Sequence, residues 1–127
     1  MNTESTILTS MSKTEFLESY QNIYNNIEEG LILKFGAEWC SPCKRIEPLV
    51  KRLMLQTPSS IKCALIDIDE DFELYALFKS KRLVNGVPAI FGYKKGNTTG
   101  RPDHLVVGAD EEQIKGFFQN YIVINQK

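Results

Sequence analysis

The sequence predicts an α/β fold in which helices cover a central β-sheet, and three observations carry that reading. Leu31 to Phe35 is an apolar run too continuous for a half-exposed strand, so it reads as a central strand covered on both faces. Ile61 to Ile68 is a second run of the same kind. Between them a helix-period segment turns Ile46, Leu49, Val50 and Leu53 inward and Lys44, Arg45, Lys51 and Arg52 mostly outward. Two strands joined by a crossing helix lie parallel. The 127 residues suit one domain with a substantial core, spanning 1–127 with loosely ordered ends at 1–5 and 123–127.

Each element has its own local cause. Ile7-Leu8, between polar residues, reads as a short edge strand. Ser12-x-x-Glu15 is a capping box, in which hydroxyl and carboxylate satisfy two N–H groups at a helix start. Phe16, Tyr20, Ile23 and Ile27 follow at helical spacing as one apolar face, and Gly30 ends that helix. In the next helix Pro48 should cause a bend by deleting an N–H bond and crowding the preceding turn, and the helix should stop before Pro58. Cys63 lies within the second buried strand and reads as a small apolar core residue.

Asp71 to Phe78 reads as a shorter helix, followed by a solvated basic stretch of Lys79, Lys81 and Arg82. Asn85-Gly86 is a turn signal, and Val87-Pro88 leads into a strand from Ala89 to Tyr93. Lys95 to Asp103 is a loop rich in Gly, Asn, Thr and Pro. Its Asn97-Thr98-Thr99 is a glycosylation-type sequence, read as chance without a secretion signal. His104 to Val107 is the last strand. Asp110 can cap a final helix whose apolar face is Ile114, Phe117, Phe118 and Tyr121.

Composition narrows the function. A formal net charge of −1 with 43% apolar residues gives no support to a nucleic-acid or membrane surface. Met1 to Lys13 has no basic stretch followed by an apolar run, and no apolar run is long enough to span a bilayer. The expectation is a cytoplasmic, reducing setting. Three cysteines do not make a disulfide framework in a chain of this size. A closed zinc site usually needs four ligands, and beyond the Cys-x-x-Cys pair only Cys63 and His104 are available, so no metal is expected.

The chemistry concentrates in Phe35-Gly36-Ala37-Glu38-Trp39-Cys40-Ser41-Pro42-Cys43-Lys44, which joins the central strand to the helix beginning near Pro42. Two thiols two residues apart can close a small disulfide ring at that helix's first turn. The partial positive charge and unpaired N–H groups of a helix N-terminus favour a thiolate over a thiol. A cysteine placed there is therefore a candidate nucleophile. Pro42 suits the position because its missing N–H would have no intrahelical partner.

This strand-Trp-Cys-x-Pro-Cys-Lys-helix pattern resembles the thioredoxin family, and the resemblance covers almost the whole chain. Ser12 to Phe16 is similar to the family's first helix start, and Leu31 to Pro48 to its central strand and active-site helix. Ile66-Asp67-Ile68-Asp69 matches its third strand, and Gly86-Val87-Pro88 the segment carrying its cis-proline. Lys94-Lys95-Gly96 and Val107-Gly108-Ala109 match the final hairpin. The resemblance implies a thioredoxin fold, a central mixed β-sheet flanked by helices on both faces. It also implies a redox-active Cys40–Cys43 disulfide, with Pro88 cis and across from it. The Val87 backbone would then pair with an extended stretch of a partner, while Trp39 and Gly108 shape the docking surface.

Thiol–disulfide exchange needs an accessible thiolate to attack and a second thiol to resolve the mixed disulfide. Cys40, at the helix start beside Trp39 and expected to be exposed, fits the nucleophile; Cys43, one turn in, fits the resolving thiol. The resemblance also exposes a departure. Thioredoxins carry a buried Asp beneath the cysteines, and Lys34 stands at that position here, with Leu65 where bacterial thioredoxins place the partner Lys. A buried Lys is costly while charged unless paired. Lys34 either acts on the thiols or reaches solvent, Glu38 or an acid on a neighbouring strand. Ser41 for the usual Gly removes no catalytic atom.

The implied function is a thioredoxin-like protein-disulfide oxidoreductase that reduces disulfides in partner proteins. It would draw electrons from a thioredoxin reductase or a small-thiol donor and act as a monomer. No cofactor is required, because the electrons reside on two sulfurs. The alternative is a thioredoxin-fold interaction module or complex subunit with a slow or vestigial dithiol, kept open by Lys34 and the long loop from Lys95 to Asp103.

Overall fold

A computed structural model of the chain describes residues 6–122. The expected loose ends, 1–5 and 123–127, lie outside the described residues. The elements follow in the order β1 (Ile7–Leu8), α1 (Lys13–Tyr24), β2 (Gly30–Gly36), α2 (Ser41–Leu55), β3 (Ile61–Asp67), α3 (Phe72–Ser80), β4 (Ala89–Lys94), β5 (His104–Val107) and α4 (Glu111–Ile122). The sheet runs β1-β3-β2-β4-β5; β1, β3 and β2 are parallel, β4 is antiparallel to β2, and β5 is antiparallel to β4. It is the mixed sheet of the thioredoxin fold, with β2 between two neighbours and all seven of its residues buried.

Alternation along β2 divides the core in two. Leu31, Leu33 and Phe35 face α1 and α3, packing on Phe16, Ile23, Leu74 and Phe78. Ile32 faces α2 and α4, among Ile46, Val50, Met54, Ile114 and Phe118. Cys63 is buried in that second layer, as its position in the strand predicts. Lys34 is on the Ile32 face, so the chain sends a cation into the layer that carries α2.

The helix ends depart from expectation at one point. The Ser12–Glu15 capping box forms with both of its hydrogen bonds, 3.0 and 2.8 Å. The helix, however, stops at Tyr24, and Gly30 opens β2 instead of closing α1. Asn26 takes the left-handed conformation at φ 63°. Its N–H donates to the Ile23 carbonyl, and that of Ile27 to Asn22, the paired closure of a Schellman motif. Ile27 is thereby carried off the apolar face and is 66% exposed. The same closure ends α3, with Arg82 at φ 59° in the left-handed position, so this part of the basic stretch has a conformational role.

The long loop between β4 and β5 is organised by one side chain. Asn97 is buried; its Oδ1 accepts from the Tyr20 hydroxyl at 2.8 Å and from the Thr99 and Gly100 N–H groups at 3.1 Å each. Its Nδ2 donates to the Arg101 carbonyl and the Asp103 carboxylate. The amide that a glycosylation sequence would modify is fully engaged in holding the loop against α1.

Candidate active site

β2 ends at Gly36 and the chain turns through Ala37, Glu38 and Trp39, closed by the Cys40 N–H donating to the Ala37 carbonyl at 3.1 Å. Cys40 is then the N-cap of α2, in extended conformation, and its Sγ accepts from the Cys43 N–H at 3.2 Å. Ser41 and Pro42 occupy the first helical positions, so the helix loses no intrahelical bond to the proline. A disulfide joins Cys40 to Cys43, with Cα atoms 5.3 Å apart. The thiol-bearing N-terminus expected from the sequence is therefore assembled as a closed ring.

The ring is less exposed than its position at a helix start suggests. Cys40 is only 5% accessible and Cys43 2%, because both pack on Ala37, Ile68 and Val87. The Val87–Pro88 peptide is cis, and the Val87 carbonyl lies 4.0 Å from Cys40 Sγ. Gly108, at φ 104°, donates its N–H to the Pro88 carbonyl at 2.9 Å, which ties the turn after β5 to the same spot. Trp39 stands beside the ring with 67% of its surface exposed, and its indole N–H donates to Asp69 at 2.9 Å. The structure thus brings Trp39, Cys40, Cys43, Val87, Pro88 and Gly108 to one end of the sheet.

Lys34 lies beneath the ring, where the sequence count puts it, but its expected partners are wrong. It is 2% exposed and does not reach solvent. Glu38 pairs with Lys44 at 3.3 Å instead, and among the described residues no strand acid pairs with Lys34. Its ammonium donates to Glu47 at 3.1 Å and to the Cys43 carbonyl at 3.4 Å, both on α2. The signal for Glu47 is in the sequence: it follows Cys43 by four residues and so shares its helix face. Asp69 was likewise legible only as part of a strand match. Cys63 and His104 do not join the pair, and no cluster of three or more metal-ligating side chains occurs among the described residues.

Geometry of this kind can exchange a disulfide: two sulfurs at a helix N-terminus, an exposed aromatic beside them, and backbone carbonyl at their flank. Comparisons with known proteins agree. The family model described as Thioredoxin matches residues 10–120. The mitochondrial thioredoxin of Mus musculus is 27% identical over 103 residues, covering 81% of this chain. The chain spans 58% of the length of that relative and of its counterparts from Rattus norvegicus and Bos taurus. Among solved structures, a mutant thioredoxin from Halobacterium salinarum superposes with a TM-score of 0.67 at 28% identity, covering 96% of each chain. Thioredoxin O1 from Arabidopsis thaliana, in its oxidized state, gives a TM-score of 0.72 at 25% identity, covering 95% of this chain and 99% of that one. With its fold, its Trp-Cys-x-x-Cys ring and a family match over nearly its whole length, the chain belongs to the thioredoxin family.

Proposed function

We propose that the protein reduces disulfides in partner proteins by dithiol–disulfide exchange through Cys40 and Cys43, acting as one domain over residues 1–127. The observation that carries this is the Cys40–Cys43 ring at the N-terminus of α2, with the Val87 carbonyl 4.0 Å from Cys40 Sγ. In the reduced protein Cys40 attacks as thiolate, breaks the partner's S–S bond and releases one partner thiolate. Cys43 then attacks Cys40 Sγ, forming the ring and releasing the second partner sulfur. Two electrons pass from the Cys40–Cys43 dithiol to the partner as the ring forms, and no cofactor takes part. Trp39, Val87, Pro88 and Gly108 form the surface on which the partner strand docks, and Pro42 starts the helix that presents the sulfurs.

The protein acts as a monomer in a cytoplasmic setting, and its ring is reduced again by a thioredoxin reductase or a small-thiol donor. The buried free thiol of Cys63 supports a reducing compartment, and no helix among the described residues is long and apolar enough to cross a membrane. The test is reduction of a disulfide-bonded protein such as insulin with dithiothreitol as electron source. Turnover well above the uncatalysed rate, abolished in Cys40→Ser, is the expected result. A rate at background would leave a thioredoxin-fold interaction module as the function.

A further inference from the structure

Beneath the ring the structure buries an ion pair. An ammonium taken out of water without a partner costs several kcal/mol, so the two acceptors of Lys34, on Glu47 and Cys43, account for its presence there. Glu47 is half-buried and shares its second oxygen with Lys51 at 3.5 Å, so its charge is itself divided. Gly36 makes room for the arrangement. A Cβ built on it would stand 3.0 Å from Lys34 Nζ and 3.4 Å from Cys43 Cβ, so cation and cysteine border one small space. Pro48 has no N–H for the Lys44 carbonyl, the one next along α2 from the Cys43 carbonyl that accepts from Lys34.

A cleft of about 730 Å³ opens at this point, lined by Lys34, Gly36, Cys43 and Glu47 among others. It is roomy and polar enough to admit water to the buried side of Cys43. Other charges face the same cleft. Lys44 and Lys51 come from α2, Glu38 from the turn before it, and Asp67 and Glu70 from the end of β3 and the turn beyond. Lys44, Lys51 and Glu38 have half or more of their side chains in water. Charges so placed are screened, whereas Lys34 acts through a low-dielectric path. Val87 and Pro88, packed on the other side, are uncharged.

We propose that Lys34 and Glu47 form an opposed charge pair that sets the stability of the Cys43 thiolate, Lys34 raising it and Glu47 restraining it. The inference rests on Cys40 and Cys43 being the redox pair. In the resolving step the Cys43 proton passes to water in the cleft and the thiolate attacks Cys40 Sγ. The bond from Cys40 to the partner sulfur breaks, and that sulfur leaves as thiolate and takes a proton from water. Lys34 and Glu47 touch no reacting atom; they are positioning residues that act through charge. A more stable thiolate favours the dithiol and makes the ring more oxidising.

The test is the reduction potential, measured against glutathione from neutral to alkaline pH, for wild type, Lys34→Met, Glu47→Gln and the double variant. The pH dependence of single-turnover release from a Cys40 mixed disulfide is measured beside it. Lys34→Met should make the ring about tenfold harder to reduce where a thiolate is populated, about 30 mV, and move the release profile to higher pH. Glu47→Gln should move both in the opposite direction, and the double variant should lie between the two. Shifts of one sign in both single variants, or none, would overturn the proposal. Glu47→Gln removes the charge but keeps a side-chain oxygen to accept from the Lys34 ammonium, so it leaves the test open even where Lys34→Met does not fold. The potential belongs to the ring alone, so failure of the insulin assay with opposed potentials would sink the function and leave the charge pair standing.

Discussion

The indole N–H of Trp39 donates to the Asp69 carboxylate at 2.9 Å, fixing an otherwise exposed ring beside the disulfide. Asp69 is held in turn, its N–H donating to Asp67 Oδ1 at 2.8 Å. An aromatic anchor that is already ordered loses less entropy when a partner binds. Asp69→Ala should therefore raise KM for a protein disulfide about threefold to tenfold with kcat little changed, in keeping with about 1 kcal/mol for such a bond. Tryptophan fluorescence anisotropy should fall in parallel. Unchanged KM and anisotropy would show that the bond does not order the ring.

The three cysteines should separate by reactivity. Burial pushes the Cys63 thiol up to about 11, an effect only partly offset by the Thr57 hydroxyl. At neutral pH Cys63 is thus a protonated, enclosed thiol, and limiting iodoacetamide should leave it unlabelled in the folded reduced protein. Cys40, at the helix N-cap, should be alkylated first, ahead of Cys43. Peptide mapping reads this directly, and early label on Cys43 or Cys63 contradicts the assignment. Cys43→Ser should accumulate partner proteins as stable mixed disulfides on Cys40.

Tyr121 packs its ring under Gly92, and its buried hydroxyl has no hydrogen-bond partner among the described residues. An unpaired buried hydroxyl costs stability, so Tyr121→Phe should be neutral or stabilising by about 1 kcal/mol in urea unfolding. A methyl on Gly92 would meet the Tyr121 hydroxyl and stand 2.8 Å from Phe117 Cζ, a clash on both sides. Gly92→Ala should cost about 1–3 kcal/mol. Combined with Tyr121→Phe the cost should shrink, since one of the clashing atoms is gone. Strict additivity would argue against the contact.

His104 sits edge-on to Phe117 and Tyr121, and burial, with Lys94 adding to it, lowers its pKa from the ordinary 6.5 against the opposing pull of Asp103. The fold therefore prefers the neutral ring. The unfolded chain takes up a proton at higher pH than the folded one, so the contribution is full above about pH 6.5 and declines as pH falls through the window below it. His104→Gln should flatten the stability–pH profile in that window. An equal slope in wild type and variant would assign the loss to other groups.

Much of this molecule was legible in its residues, for identifiable reasons. A continuous apolar run gave β2, because a strand buried on both faces needs no alternation, and a similar run gave β3, which is buried at Ile61, Cys63, Ala64 and Ile66 and partly buried between them. Capping chemistry placed the starts of α1 and α4, where Asp110 accepts from the Glu112 and Gln113 N–H groups. The end of α1 was misread because Ile27 continues the helical spacing, while the stop is a backbone conformation at Asn26 that periodicity does not report. Met54 is fully buried on the inner face of α2, where the sequence pattern put Leu53, which is only partly buried against the same core. Glu47 is not among the partners expected for Lys34, which were Glu38 or a strand acid, because the pairing acid comes from the helix above. The shielding of Cys40 depends on Ile68 and Val87, distant in sequence, and no local pattern encodes it.

β2 has a consequence for how this chain is made. It hydrogen-bonds β3 on one side and β4 on the other, and both leave the ribosome after it. When the first sixty residues have emerged, the central strand has neither neighbour, and the face that packs on α2 still lacks α4. The Tyr20 hydroxyl waits longer still, for an Asn97 that lies 77 residues further along. Productive closure must await nearly the whole chain, since non-local pairings return nothing until both members exist. The nascent protein therefore carries Leu31 to Phe35 without a strand neighbour until β3 is complete at Asp67 and without the second until β4 is complete at Lys94, and that interval is open to a chaperone that binds extended apolar stretches.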